Sequence, residues 1–224
     1  MEIILVRHGQ PAWSENGLGV TEPGLTGLGR RQAEQAAGRL AAMGPWDALL
    51  VSPLRRAAET AAPIAVATGI PARTVSGLAE IGGPDWQGAP IERVHRIFEE
   101  QRHRPVHQWW DGFPGGGESF HQFHQRVTST VAEVLAGSGV RERGEPHLWE
   151  VPDGAGRLIV VAHAGTNAVA LGYLLGLEPA PWEWERFLSP HASISRITSM
   201  PLAGANIMAL AGFADTAHLT EVTY

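Results

Sequence analysis

Short unbroken apolar runs alternate along this chain with stretches in which apolar residues recur every three or four positions. Ile3-Ile4-Leu5-Val6 is continuous and rich in β-branched residues, the pattern of a strand buried on both faces, and it stops at Arg7-His8-Gly9. After a loop rich in Gly, Pro and Asn, Thr26 predicts the N-cap of a helix. Its Ala33, Ala36, Ala37, Leu40 and Ala41 fall at helical spacing, and it ends near Gly44-Pro45. A second cycle opens with the strand Ala48-Leu49-Leu50-Val51. Ser52-Pro53 offers an N-cap and a first-turn proline for the next helix, which carries Arg55, Arg56 and Thr60 and which Pro63 is expected to kink.

Residues 71–77 read as a short third strand, and Glu80 to Gly88 as a Gly-rich surface loop. Ile91, Val94 and Phe98 mark one helical face. Phe120, Phe123, Val127, Val131 and Val134 mark a longer one after Gly115-Gly116-Gly117-Glu118-Ser119, and both helices are expected on the sheet. Between Gly137 and Arg157 the chain is polar and without a clear period, as in a long loop or a small hairpin. Leu158-Ile159-Val160-Val161-Ala162 then repeats the opening pattern and runs through His163-Ala164-Gly165 into a helix from Thr166 to Leu175. Two more strands are expected around Ser193–Thr198 and Asn206–Leu210. Strands alternating with amphipathic helices predict an α/β fold, a three-layer α/β/α sandwich on a mostly parallel sheet. No composition break marks a linker. The expectation is a single domain over residues 1–224, with a cap segment of helix and loop around 82–125 and the long loop around 137–157.

Composition narrows the chemistry. The 224 residues include 17 Lys+Arg, 23 Asp+Glu, 10 His and no Cys, for a net charge of −6. Disulfides, thiolate metal sites and cysteine nucleophiles are excluded. A negative chain does not hold nucleic acid or an anionic membrane by bulk electrostatics, so an anionic ligand must be met by a local cluster. The first apolar run is too short for a signal peptide and no stretch approaches the ~18 apolar residues of a spanning helix, which places the expected protein in the cytoplasm.

Such a cluster is visible. Arg7-His8 follows the first strand, Arg55 and Arg56 the second, and His163 the run from Leu158. In an open α/β sheet the ligand crevice lies outside the carboxyl ends of the strands, where these groups can converge. Arginine forks, imidazoles and nearby helix N-termini suit a tetrahedral dianion such as phosphate without a metal. Glu80 and Asp85 are the available carboxylates, and cleavage of a phosphate ester needs a nucleophile and an acid.

Arg7-His8-Gly9, the block from Ser52 to Thr60, Leu78-Ala79-Glu80, Gly117-Glu118-Ser119 and His163-Ala164-Gly165 stand in the order seen in the histidine phosphatase superfamily, the phosphoglycerate mutase-like proteins, which this chain resembles. The segment His191-Ala192-Ser193-Ile194-Ser195 is also similar. The resemblance implies a phosphoglycerate mutase-like fold and a phosphomonoesterase acting through phosphohistidine, with no cofactor and no metal. It implies that His8 is the nucleophile, that Arg7, Arg56 and His163 hold the phosphoryl oxygens, and that Glu80 is the proton donor. By family position Arg56 is favoured over Arg55, and Glu80 over Asp85. The resemblance also implies Gln10 and Ser14 as further substrate contacts, since residues 10–25 commonly line the pocket mouth in this family. Pro11 stands where Ser or Thr often follows Arg-His-Gly-x, Ser14 where an Asn often touches phosphate, and Ala164 where Gly is usual.

Two other readings share the residues. A phosphoglycerate mutase would use the same pocket. Such enzymes usually carry a long basic insertion before Gly-Glu-Ser, and an Arg where this chain has Ala168. A non-catalytic phospho-ligand binding protein would typically have lost the nucleophile or the acid. His103 with His107 and His121 with His124 have spacings that could share a helical face, but Pro105 interrupts the first pair and neither has a carboxylate partner, so no metal site is expected. Trp109-Trp110, Trp182 and Trp184 are expected to pack in core or lid. The expected partner is a small-molecule phosphate ester, with no nucleic acid and no membrane; a homodimer is left open, as is the physiological substrate.

Overall fold

Side-chain alternation on three adjacent strands organises the molecule. The structure, a computed structural model, describes residues 1–224 except for the side chains of residues 145 and 146. Strand β1 (Glu2–Arg7) pairs in parallel with β8 (Arg157–Ala162), β8 with β4 (Ala48–Val51), and β4 with the short exposed edge strand β5 (Ala72–Thr74). On the other side of β1 the sheet continues antiparallel through β9 (Ile194–Leu202), β10 (Ala205–Asp215) and the hairpin β7 (Glu145–Glu150) and β6 (Arg141–Arg143). The central strands are thus parallel, as predicted, with an antiparallel extension. The hairpin occupies part of the stretch between Gly137 and Arg157, where buried Trp149 packs edge-on against Tyr173. A small separate hairpin, β2 (Ser14–Glu15) with β3 (Leu18–Gly19), lies in the first loop.

Because successive side chains point to opposite faces, Ile3, Leu5, Val160 and Ala162 enter one core and Ile4, Val6, Ile159 and Val161 the other. The first core is closed by α4 (Phe120–Gly137) and α5 (Ala164–Leu175) through Phe120, Phe123, Val127, Leu171 and Leu174. The second is closed by α1 (Gly27–Met43) and α2 (Arg55–Thr68) through Ala37, Leu40, Ala57, Ala61 and Ile64. Each large apolar side chain so buried contributes about 1.5–3 kcal/mol. This is the three-layer sandwich that the alternation predicts.

Three details differ from the sequence expectation. Helix α3 (Ile91–His103) does not lie on the sheet but packs on the β2–β3 hairpin, with Val94 buried and Phe98 turned half-exposed toward Trp86 and Phe113. Ser52 does not cap α2: that helix starts at Arg55 behind Leu54, without a side-chain cap, because the Ser52 hydroxyl is used elsewhere. The third strand covers only Ala72–Thr74. Among the described residues no helix is long and apolar enough to cross a membrane.

Candidate active site

The three parallel strands β4, β8 and β1 end level with one another. Arg7 is in register with Ala162, and Val51 with Val161. The next residues stay in step, with His8 N–H donating to the Ala162 carbonyl at 3.0 Å and Ser52 N–H to the Val161 carbonyl at 3.0 Å. His8, Ser52 and His163 are therefore delivered side by side at the carboxyl edge. The His8 and His163 rings lie 5.1 Å apart, and Ser52 Oγ is 2.7 Å from His163 Nε2.

Hydrogen bonding assigns the imidazole protons. His8 Nδ1 lies 2.8 Å from the Gly9 carbonyl, which only accepts, so Nδ1 carries the hydrogen and Nε2 presents a lone pair. Ser52 Oγ accepts from the Leu54 N–H and has its own hydrogen to give to His163 Nε2. That leaves the His163 proton on Nδ1, a buried atom without a partner among the described residues. Arg7 Nε and Arg56 Nε are likewise buried and unpartnered. Three donors aimed at no protein acceptor suit an anion with several oxygens.

Burial sets the charge states. The His8 pKa is driven well below its ordinary value by loss of solvent, then by His163, Arg56 and Arg7; His163 is lowered in the same way by burial, Arg56, Arg7 and Arg126. Both imidazoles are neutral at neutral pH. Arg7 is lowered to about 10, chiefly by burial with Arg56 adding to it and Glu80 opposing, and stays charged; burial lowers Arg56 as well.

Glu80 reaches the same edge from the loop after β5. Its Oε2 accepts from the Gly165 N–H at 2.9 Å, while Oε1 accepts from the Thr166 N–H at 3.1 Å and the Ile81 N–H at 3.1 Å. The carboxylate thus sits on the N-terminus of α5, where unpaired N–H groups and the helix dipole favour it. Gly165 permits this: a Cβ there would lie 2.5 Å from Glu80 Oε1. Arg126 of α4 secures the loop from behind. It pairs with Glu118 at 2.6 Å and donates to the carbonyls of Gly77, Ala79 and Glu80. Gly9 can cross α1 only as glycine, since a Cβ would lie 2.4 Å from the Gly29 carbonyl oxygen, and its N–H donates to Thr60 Oγ1 at 3.0 Å.

Arg7, His8, Arg56, His163 and Glu80 are thus brought together. Other candidates are not. Arg55 is exposed and bonded to Glu59 at 2.7 Å. Exposed Asp85 accepts from Thr21 Oγ1 and the Gln87 N–H. Ser14 is exposed in β2 opposite Gly19, with no hydrogen bond or ion pair to the cluster, because the hairpin turns it to solvent. It is Trp13 that lies against the site, its ring centre 4.8 Å from the Arg56 guanidinium carbon. Gln10 spends its side-chain oxygen on Thr26 Oγ1 and braces the start of α1. Among the described residues no group of three or more His, Asp or Glu is placed to hold a metal ion; His121 stacks on Trp110. Trp109 packs with Trp182 and Trp184.

Sequence reasoning missed the parts of Ser52, Thr60, Arg126 and His191. Ser52 and Thr60 lie inside a quoted motif block, and His191 inside the similar late segment. Arg126 carried no signal beyond being a cation on the α4 face.

Residues 3–202 match the model of the histidine phosphatase superfamily, branch 1. The chain belongs to that superfamily. A Yersinia enterocolitica protein named "Probable phosphoglycerate mutase GpmB" is 30% identical over 98% of this chain and 95% of its own length. Glucosyl-3-phosphoglycerate phosphatase of Mycobacterium tuberculosis is 32% identical over 80% of this chain and 78% of its own. The native structure of the mycobacterial glucosyl-3-phosphoglycerate phosphatase superposes with a TM-score of 0.71 at 25% identity, covering 96% of this chain and 99% of that one. With the superfamily's fold and phosphatases among its relatives, the chain is a phosphoric monoester hydrolase, as the resemblance implied.

Proposed function

We propose that this histidine phosphatase hydrolyses a small-molecule phosphate ester through a phosphohistidine on His8. The observation that carries the reading is the buried, neutral His8, with Nδ1–H held by the Gly9 carbonyl and Nε2 free. Nε2 attacks phosphorus as the P–O bond to the leaving group breaks. Arg7, Arg56 and His163 Nδ1–H bind the other oxygens, where charge must be balanced as the group transfers. In the form that reacts, Glu80 is protonated and gives its hydrogen to the leaving oxygen; its Oε2, which accepts only from Gly165, has capacity to carry that proton. Water then attacks phosphorus, the P–N bond breaks, Glu80 takes the water's proton, and phosphate leaves.

Rapid quench of the enzyme and a ³²P-labelled phosphate ester into alkaline detergent, in which the P–N bond of phosphohistidine survives, tests this. Label is expected on wild type and absent from His8→Ala, with hydrolysis reduced by about 10³-fold or more. Full activity in His8→Ala would overturn it. The name of the Yersinia relative favours a second reading, a phosphoglycerate mutase. Ala168, in place of the arginine usual in mutases, speaks for hydrolysis, and a mutase assay primed with bisphosphoglycerate separates the two. Glucosyl-3-phosphoglycerate belongs in the substrate panel because a relative's name includes it.

A further inference from the structure

His191 is buried (3% exposed) and lies on none of the strand ends that deliver the other site residues. Its ring stands 5.6 Å from the His8 ring, and both nitrogens are engaged. Nε2 is 3.1 Å from Arg7 Nη2, and Nδ1 is 3.1 Å from Thr223 Oγ1. A guanidinium only donates, so Nε2 must accept; the ring hydrogen is then on Nδ1 and is given to Thr223. Protonation would set an N–H against the guanidinium, and burial beside Arg7 lowers the His191 pKa to about 3.

The surroundings hold this geometry in place. The His191 N–H donates to the Thr223 carbonyl at 2.8 Å. Ala192 takes a left-handed φ of +57°, a conformation disfavoured for a non-glycine residue, and its N–H donates to the His8 carbonyl at 3.1 Å. Thr223 Oγ1 also accepts from Gln32 Nε2, whose own Oε1 accepts from the Gln10 N–H. Arg7 Nη1 donates to the Ser189 carbonyl. With one hydrogen on each Nη so committed, Nε and the second Nη2 hydrogen form a free edge of the guanidinium, the edge that grips two oxygens of a phosphate.

We propose that His191, fixed by Thr223, is a positioning residue that orients this Arg7 edge toward the phosphate. The proposal rests on the reading of Arg7 as a phosphate-binding residue. It concerns binding of the phosphoryl group, so its effect is independent of the leaving group.

The test compares His191→Leu, of similar size but without an acceptor, with His191→Gln, whose Oε1 can reach Arg7. The probe is inorganic phosphate, measured by titration calorimetry, together with steady-state kinetics on two phosphate esters with unlike leaving groups. His191→Leu is expected to weaken phosphate binding about 10-fold and to lower kcat/KM by a similar factor on both esters; His191→Gln should stay within about 3-fold of wild type. Equal behaviour of the two variants, whether wild-type-like or equally impaired, overturns the proposal. Should His191→Leu fail to fold, Thr223→Val against Thr223→Ser decides: the valine variant is expected to weaken phosphate binding and the serine variant to preserve it, and equal affinities refute the role. Phosphate affinity is read without turnover. A wild type that binds phosphate but hydrolyses nothing would therefore sink the proposed function and leave this inference to stand or fall on its own.

Discussion

Arg55 and Arg56 are neighbours in sequence, yet a helix turns them about 100° apart, and that rotation separates a surface ion pair from a buried cation at the candidate site. Arg55 meets Glu59 in solvent, while Arg56 is buried beside His8 and His163. Arg56→Met is expected to reduce kcat/KM by about 100-fold or more, as for loss of a charge-stabilising donor, and Arg55→Met by no more than about 3-fold. Steady-state kinetics on one phosphate ester checks both, and similar losses would reject the assignment. The same contrast holds for Glu80 and Asp85. Both are loop acids near a Gly-rich stretch, but only Glu80 lies on the α5 N-terminus.

At the scale of elements, α4 does two jobs. Its apolar face covers one side of the sheet, and its first two turns anchor the acid loop. Ser119 and Gln122 form a capping box that fixes where the helix begins. Glu118, just before it, meets Arg126, which holds three carbonyls of the 77–80 segment. Removing the guanidinium therefore loosens the backbone that carries Glu80. Arg126→Met is expected to lower kcat by about 10-fold with little change in KM, and to cost less than about 3-fold in a Glu80→Gln background, where there is no acid left to position. A double-mutant cycle on kcat measures this; additive losses would show that Arg126 acts through something other than Glu80.

Across the whole molecule, the sheet gathers three imidazoles into an interior that keeps them neutral. His8, His163 and His191 all have pKa values depressed by burial, His191 to about 3, against about 6.5 in an unfolded chain. Between those values the unfolded state binds more protons, so stability is fully present above about pH 6.5 and falls as the pH drops below it. At pH 5 His191 costs on the order of 2 kcal/mol relative to pH 7, and His8 and His163 act in the same direction. Thermal unfolding at pH 7 and pH 5 should show Tm falling by several degrees or more, and His191→Gln should shrink the difference. A Tm unchanged or raised at pH 5 would contradict buried neutral histidines.

What the sequence alone determined is local. Unbroken β-branched runs and three-to-four spacing revealed the strands and most helices, because a strand or a helical face is defined by residues a few positions apart. The clustering of Arg7, His8 and His163 was legible for a related reason: they directly follow apolar runs, and strand ends in an α/β sheet share one edge. Only the tertiary structure decided which groups meet across long separations. Ser52 turns to His163, 111 residues away, instead of capping its own helix, and Glu80 reaches Gly165, 85 residues away. Arg7 meets His191 across 184 residues. α3 leaves the sheet for the β2–β3 hairpin, though its apolar spacing matches that of a sheet-packing helix. These partners are chosen by strand order, register and the space left after the core has closed, and no spacing along the chain encodes them.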